Sequence, residues 1–297
     1  MRTKIRFFTN QKERSFSLRN HVISFFKSAA FFFALSLALL FFLQDMALFH
    51  PNSSPASVNY ILSRNEFSQI TIDNEGRSYT GFIRRNEDDE PSPLIIMFLG
   101  NAMNAADTKR FFDSTGKWRF FLNYNFLVVD YPGYGLSEGR PSARSLYEQA
   151  LLAYDYAAGL PFVDENRIIV GGLSIGTGPA VYLAANRDVF GLFLLTPFAS
   201  GYDLYNNVLP IFHGPLRLLV RHPFPSELHA QSITAPVLIV ASESDEIVPF
   251  RSSERLRDSF PNDPTFIALS NIGHNEVLVN TISLDGIQSF LSDLEID

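Results

Sequence analysis

From about residue 61 onward, short apolar runs alternate with stretches of helical spacing. Residues 94–99 (LIIMFL), 126–129 (FLVV), 168–170 (IIV), 192–195 (LFLL) and 237–240 (VLIV) are apolar without a break. A strand with one face in water alternates polar and apolar side chains, so unbroken runs fit central parallel strands covered on both faces. Ahead of them, residues 69–72 (QITI) and 79–83 (YTGFI) are joined by the turn-prone Asp73-Asn74-Glu75-Gly76 and predict a hairpin. Between the runs, residues 142–158 begin on Ser142, a good N-cap, and continue with strong helix formers. Residues 176–186 and 252–259 are similar, and 276–294 can close the fold. Such alternation predicts an α/β fold, a mostly parallel, doubly wound sheet with right-handed crossovers. No internal repeat or second-domain boundary is visible, so residues 61–297 read as one domain.

The N-terminus has a different pattern. Residues 28–43 (SAAFFFALSLALLFFL) carry no charge, and 22–26 extend the run on the other side of Lys27, whose ammonium can snorkel to headgroups. Together, residues 22–43 approach the roughly 20 apolar positions that span a bilayer. A terminal helix apolar on every face is rarely a buried soluble one. A cleaved signal peptide is the competing reading, but the apolar core is long and the first tolerable cleavage pattern, Ser54-Pro55-Ala56, lies well past it. The expectation is a basic segment over 1–21, an uncleaved membrane anchor over 22–43 and a linker over 44–60. The Pro-, Ser- and Asn-rich stretch 50–59 reads as a flexible tether.

Charge sharpens this division. Residues 1–27 hold seven of the 24 Lys and Arg and one of the 31 Asp and Glu, leaving 17 basic against 30 acidic residues, a net of −13, for the remainder. Basic flanks tend to stay cytoplasmic, which sends the following domain to the far side of the membrane, the periplasm in a bacterium. An acidic body repels phosphate backbones, which argues against nucleic acid as a ligand. Cysteine is absent, which excludes a disulfide framework, a thiolate zinc site and a cysteine nucleophile. No metal-ligand cluster is apparent, and Gly133-Tyr134-Gly135 lacks a dinucleotide-binding context, so neither a metal nor an organic cofactor is expected.

Chemistry enters at Gly172-Leu173-Ser174-Ile175-Gly176, a G-x-S-x-G sequence between the strand-like RIIVGG and the helical GTGPAVYLAANR. A strand-to-helix turn this tight strains the serine backbone and exposes its hydroxyl at the carboxyl edge of the sheet, while glycines two before and two after avoid collision. The amide of Ile175 then faces a developing oxyanion, helped by the new helix dipole. A serine hydroxyl needs a base. Of the six histidines, His21 and His50 flank the anchor, and His213, His222 and His229 precede the strand at 237 in a proline-broken region. His274 lies in a turn just after the strand-like 265–269, where a base must sit. An acid has to orient that imidazole, and ASESDEIVP (241–249) offers three. Asp245 is the choice for its short side chain before a Pro-closed turn and for the order Ser174, Asp245, His274; Glu243 is the fallback.

LGNAMN (99–104), DYPGYGLSEGRPS (130–142), GGLSIGTGPAVYLAA (171–185), APVLIVASESDEIVP (235–249) and IGHNE (272–276) together resemble the α/β-hydrolases, in particular the BEM46-like branch, whose members are often membrane-tethered. The likeness runs from about residue 64 to 294. It implies an α/β-hydrolase fold with a small cap region, oxyanion-hole amides from Asn101 and Ile175, and an Asp130–Ser137 loop that borders the site. Members commonly carry His-Gly before the Asn-Ala pair, and this chain has Leu99 in place of the histidine. The cap falls in 197–236, where apolar residues such as Phe198, Tyr205, Leu209, Phe212, Leu218 and Phe224 read first as core contacts and second as the wall of an acyl site. The leading expectation is a serine esterase or thioesterase acting on small-molecule acyl substrates, lipids included. A serine peptidase with the same triad and a membrane-tethered binding protein with a silent site are the alternatives.

Overall fold

The computed structural model describes residues 2–53, 58–59, 61, 66–86, 90–108 and 121–295, with side chains from 19 onward. Two compact units divide the chain, Met1–Ala47 and Leu48–Asp297. The first unit is helical and belongs to α1 (Arg2–Leu48). Among the described residues, one helix is long and apolar enough to cross a membrane, Arg19–Leu48, and none of its apolar window is buried. At 30 residues it is about 45 Å long, which matches a hydrocarbon core with its headgroup layers. The helix runs five residues beyond the expected end of the anchor at 43.

The second unit is built on eight strands in the order β1-β2-β4-β3-β5-β6-β7-β8. They are β1 (Ser68–Asn74), β2 (Arg77–Arg84), β3 (Ser92–Phe98), β4 (Asn125–Val129), β5 (Val163–Leu173), β6 (Gly191–Leu195), β7 (Val237–Ser242) and β8 (Thr265–Leu269). β2 is antiparallel to β1 and β4, and every pair from β4 to β8 is parallel. The β1–β2 hairpin closes on Glu75 (φ 48°) and Gly76 (φ 78°), the consecutive left-handed pair that matches strand twist.

The apolar runs divide residue by residue between two cores, because successive side chains on a strand point to opposite faces. Leu94, Ile96, Phe98, Val170, Leu192, Leu194 and Ile239 enter one core. Ile95, Met97, Ile169, Phe193, Leu195, Leu238 and Val240 enter the other. The first face is covered by α2 (Ala143–Ala158) and α3 (Thr177–Ala184). α2 presents Leu146, Ala150, Ala153 and Ala157, and Ser142 caps it as expected, accepting from Ser145 N. The second face is covered by α7 (Thr281–Leu294), through Leu284, Ile287 and Leu291.

One expected helix is divided. Residues 276–294 form a 3-10 turn, His274–Val279, and then α7, because the Asn280 side chain accepts from Ile282 N and starts a new helix there. The cap contains α4 (Gly201–Val208), a 3-10 turn (Gly214–Leu219) and α5 (Ser226–Ala230), and α6 (Phe250–Arg257) follows β7. The tether expected over 50–59 falls partly on 54–57, outside the described residues, as does the Ser54-Pro55-Ala56 pattern. Phe49, just before that stretch, is buried in the core, and His50 N and Asn52 Nδ2 donate to Asn101 Oδ1 and Ala102 O. The carboxyl ends of β3, β5, β7 and β8 open on one edge of the sheet, where ligands bind in parallel α/β folds.

Candidate active site

Ser174 leaves β5 with φ 52°, a left-handed backbone that costs a non-glycine residue about 1–3 kcal/mol. The glycines around it are required by space. A Cβ on Gly172 would lie 2.8 Å from Gly176 O and 2.9 Å from Ala180 Cβ, and one on Gly176 would lie 2.3 Å from Phe98 O and 2.6 Å from Leu99 O. The turn is therefore pressed against the end of β3, so the Gly100–Asn101 loop adjoins the Ser174–Ile175 backbone. Ser174 is half-exposed, and its neighbours 171–173 and 175–180 are buried. The Thr177 hydroxyl donates to Ser174 O at 2.6 Å and tightens the first turn of α3.

The three candidate residues, 100 and 29 positions apart in sequence, meet in one chain of hydrogen bonds. Ser174 Oγ is 2.9 Å from His274 Nε2, and His274 Nδ1 is 2.7 Å from Asp245 Oδ2. The His274 and Asp245 side chains are only 6% and 2% exposed, so little water competes for these bonds. Asp245 is held by its other oxygen, which accepts from Ile247 N at 2.9 Å and Val248 N at 2.8 Å. With Nδ1–H donated to the carboxylate, Nε2 of a neutral imidazole is free to accept the serine proton.

The competing acids are occupied elsewhere. Glu243 is exposed and accepts from Ser270 Oγ at 2.6 Å. Glu246 accepts from the backbone of His274 at 3.1 Å. Ser242 Oγ donates to Ile272 O and fastens the histidine turn to the end of β7.

The Asp130–Ser137 loop proves to be a buttress. Asp130, buried at the end of β4, accepts from Ala105 N at 2.6 Å and Leu136 N at 3.1 Å, tying this loop to the one after β3. Burial raises its pKa to about 6 against the pull of those two amides. A Cβ on Gly135 (φ 50°) would fall 1.9 Å from the carboxylate, so the Asp and the Gly require each other. Tyr131 Oη donates to Leu99 O at 2.7 Å, and Tyr134 Oη to Asn101 Oδ1 at 2.8 Å. Sequence reasoning did not single out these two tyrosines, although both stand in the quoted loop. Leu99, in the place of the expected histidine, is buried and is held through its carbonyl.

The cap is pinned to the sheet. Asn207 Nδ2 in α4 donates to Glu246 O and Ile247 O, each at 3.0 Å, beside the Asp245 turn. Arg255 in α6 reaches Asp203 of α4 at 2.5 Å and Glu227 of α5 at 2.8 Å. Of the apolar residues read as cap, Phe198, Tyr205, Phe212 and Phe224 are buried, while Leu209 and Leu218 are exposed together with Val208 and Ile247.

No protein-family model matches the chain. It is 37% identical over 174 residues to an uncharacterized protein of Mycobacterium tuberculosis, covering 58% of this chain and 61% of that one. It is 30% identical over 201 residues, 68% of this chain and 58% of the relative, to the alpha/beta hydrolase domain-containing protein aho-3 of Caenorhabditis elegans. The chain thus spans about three fifths of the length of the curated relatives it matches. Among solved structures, Est1E of Butyrivibrio proteoclasticus with ferulic acid bound superposes with a TM-score of 0.62 at 20% identity, over 77% of this chain and all of that one.

Proposed function

We propose that the chain, which is similar to alpha/beta hydrolase domain-containing relatives and shares the fold of a solved α/β-hydrolase, is a serine hydrolase that cleaves carboxylic ester or thioester bonds of acyl substrates. The observation that carries the reading is the continuous relay Ser174 Oγ–His274–Asp245 at 2.9 and 2.7 Å. In the proposed reaction His274 Nε2 takes the Ser174 proton as Oγ attacks the acyl carbon. The amides of Asn101 and Ile175 hold the resulting oxyanion, a contribution of about 3–4 kcal/mol per donor in such sites. Collapse breaks the bond to the alcohol or thiol, which leaves with the proton from His274. Water then repeats the sequence on the acyl-enzyme, and the product acid and free Ser174 are released.

Acyl chemistry is favoured over small polar esters by the surface beside the Asp245 turn. Val208 and Leu209, at the end of the helix that Asn207 fastens to that turn, and Ile247 within it are all exposed and apolar. The N-terminal apolar helix, read as a single-pass anchor of the BEM46-like kind, would hold the enzyme among lipid-borne substrates and raise their effective concentration. The basic 1–27 segment argues for a catalytic unit on the non-cytoplasmic side.

The test uses the full-length chain in detergent. Fluorophosphonate labelling of the parent, lost in Ser174→Ala and His274→Ala, is the expected result, with p-nitrophenyl ester turnover across acyl lengths. A folded parent that neither labels nor turns over any of these esters would overturn the proposal in favour of a silent binding protein. Turnover of p-nitroanilides in preference to esters would move it to the peptidase reading.

A further inference from the structure

We propose that residues 48–52, the first stretch of the second unit and next in sequence to the apolar helix, form a clasp that positions the oxyanion loop. This inference rests on the hydrolase reading above. Asn101 supplies an oxyanion amide from its backbone in that reading, but its side chain is directed elsewhere. Asn101 Nδ2 donates to Leu48 O at 2.7 Å and lies 2.8 Å from His50 Nδ1. Asn101 Oδ1 accepts from His50 N at 3.0 Å, Tyr134 Oη at 2.8 Å and Ala102 N at 3.0 Å. One carboxamide therefore gathers the clasp, the buttress loop and its own loop.

The next residue shows why the loop needs holding. Ala102 has φ 60°, a strained conformation that persists only where its surroundings over-determine it. Its N–H is taken by Asn101 Oδ1. Its carbonyl accepts from Asn52 Nδ2 of the clasp at 3.0 Å. The clasp is itself fixed: Asn52 O accepts from Gly135 N at 2.8 Å, His50 N also donates to Tyr134 Oη at 3.0 Å, and Phe49 is buried with its ring 5.0 Å from that of His222. The Asn101 side chain and the Ala102 carbonyl are thus held by partners about 50 positions earlier in the chain, and they fix the Asn101 Cα that carries the amide. An oxyanion donor acts through preorganisation, so a loosened loop loses transition-state stabilisation before it loses substrate binding. A proteolytic cut that removed the anchor beyond Asn52 would remove the clasp with it.

Asn52, Asn101 and Tyr134 are positioning residues in this account, and the test separates positioning from general stability. Full-length Asn52→Ala, Tyr134→Phe and Asn101→Ala are compared with the parent on p-nitrophenyl butyrate, with phenylboronic acid as the tetrahedral probe. The expected result is a kcat lowered about 10- to 100-fold, below the loss of a whole donor, with KM within twofold. The inhibition constant of the boronic acid should rise by the same factor as kcat falls, and Asn52→Gln, which keeps an amide donor, should recover part of the loss. Unchanged kcat in Asn52→Ala and Tyr134→Phe overturns the proposal, and so does a rise in KM alone or a boronate constant that does not follow kcat. If Asn101→Ala does not fold, the other two variants decide. A parent inert towards both ester and fluorophosphonate overturns the hydrolase reading as well, whereas an active parent with indifferent variants overturns the clasp alone.

Discussion

Replacing Ser174 by glycine should make the protein more stable than replacing it by alanine, although both changes remove the same hydroxyl. At φ 52° any side chain with a Cβ pays for the left-handed backbone about 1–3 kcal/mol, and glycine does not. Against this, glycine adds freedom to the unfolded chain worth about 0.4–1 kcal/mol. Loss of the bond to His274 Nε2 is common to both variants and cancels. The net difference is about 1 kcal/mol in favour of glycine, or about 2–4 °C in Tm for a domain of this size. The assay is thermal unfolding of the two inactive full-length variants side by side in the same detergent. Glu75 supplies the calibration, because it holds φ 48° in the β1–β2 turn, at the lateral edge of the sheet and three strands from β5. Glu75→Gly should gain a similar increment and keep full activity. If Ser174→Gly melts at or below Ser174→Ala while Glu75→Gly melts above the parent, the elbow carries no releasable strain and the reasoning fails.

Two other predictions follow from carboxylates held by backbone amides. Asp245→Asn places an NH2 group either against the Ile247 and Val248 amides or against His274 Nδ1, so kcat should fall by roughly 10⁴-fold as the imidazole loses its productive tautomer; a loss under tenfold in steady-state kinetics would refute the assigned role. Asp130, with its pKa raised from 3.8 to about 6 by burial, keeps a proton in the folded state that the unfolded state has already released between those pH values. Unfolding free energy should therefore decrease as pH rises through that window, by up to about 3 kcal/mol relative to Asp130→Asn. Parallel denaturant curves for parent and variant from pH 4 to 7 would contradict it.

The parts of this molecule legible in the sequence are those whose local demands admit few solutions. Unbroken runs such as LIIMFL and VLIV had to be strands covered on both faces, and the two cores divide each run by parity. The elbow was legible because no residue larger than glycine fits at 172 or 176. His274 and Asp245 were reached by chain order and turn position. The preference for Asp245 over Glu243 now has a physical cause: two amides of its own turn orient a short carboxylate, while Glu243 is taken by Ser270. The eight-residue α4 is too short for periodicity to say which cap side chains turn inward, and Tyr205 went in while Val208 stayed out.

Composition alone leaves the use of residues 50–53 open, because Pro, Ser and Asn mark both flexible linkers and side chains that satisfy distant backbone groups. A local rule sees only the first of these uses. His50 and Asn52 are ordered by Asn101, Ala102 and Gly135, partners that only the folded sheet edge brings within reach. Asn101 shows the same division inside one residue. Its amide was assigned from the position of its loop after β3, whereas the work of its side chain depends on a segment that lies 49 to 53 residues earlier and reads as a tether only from residue 50 onward.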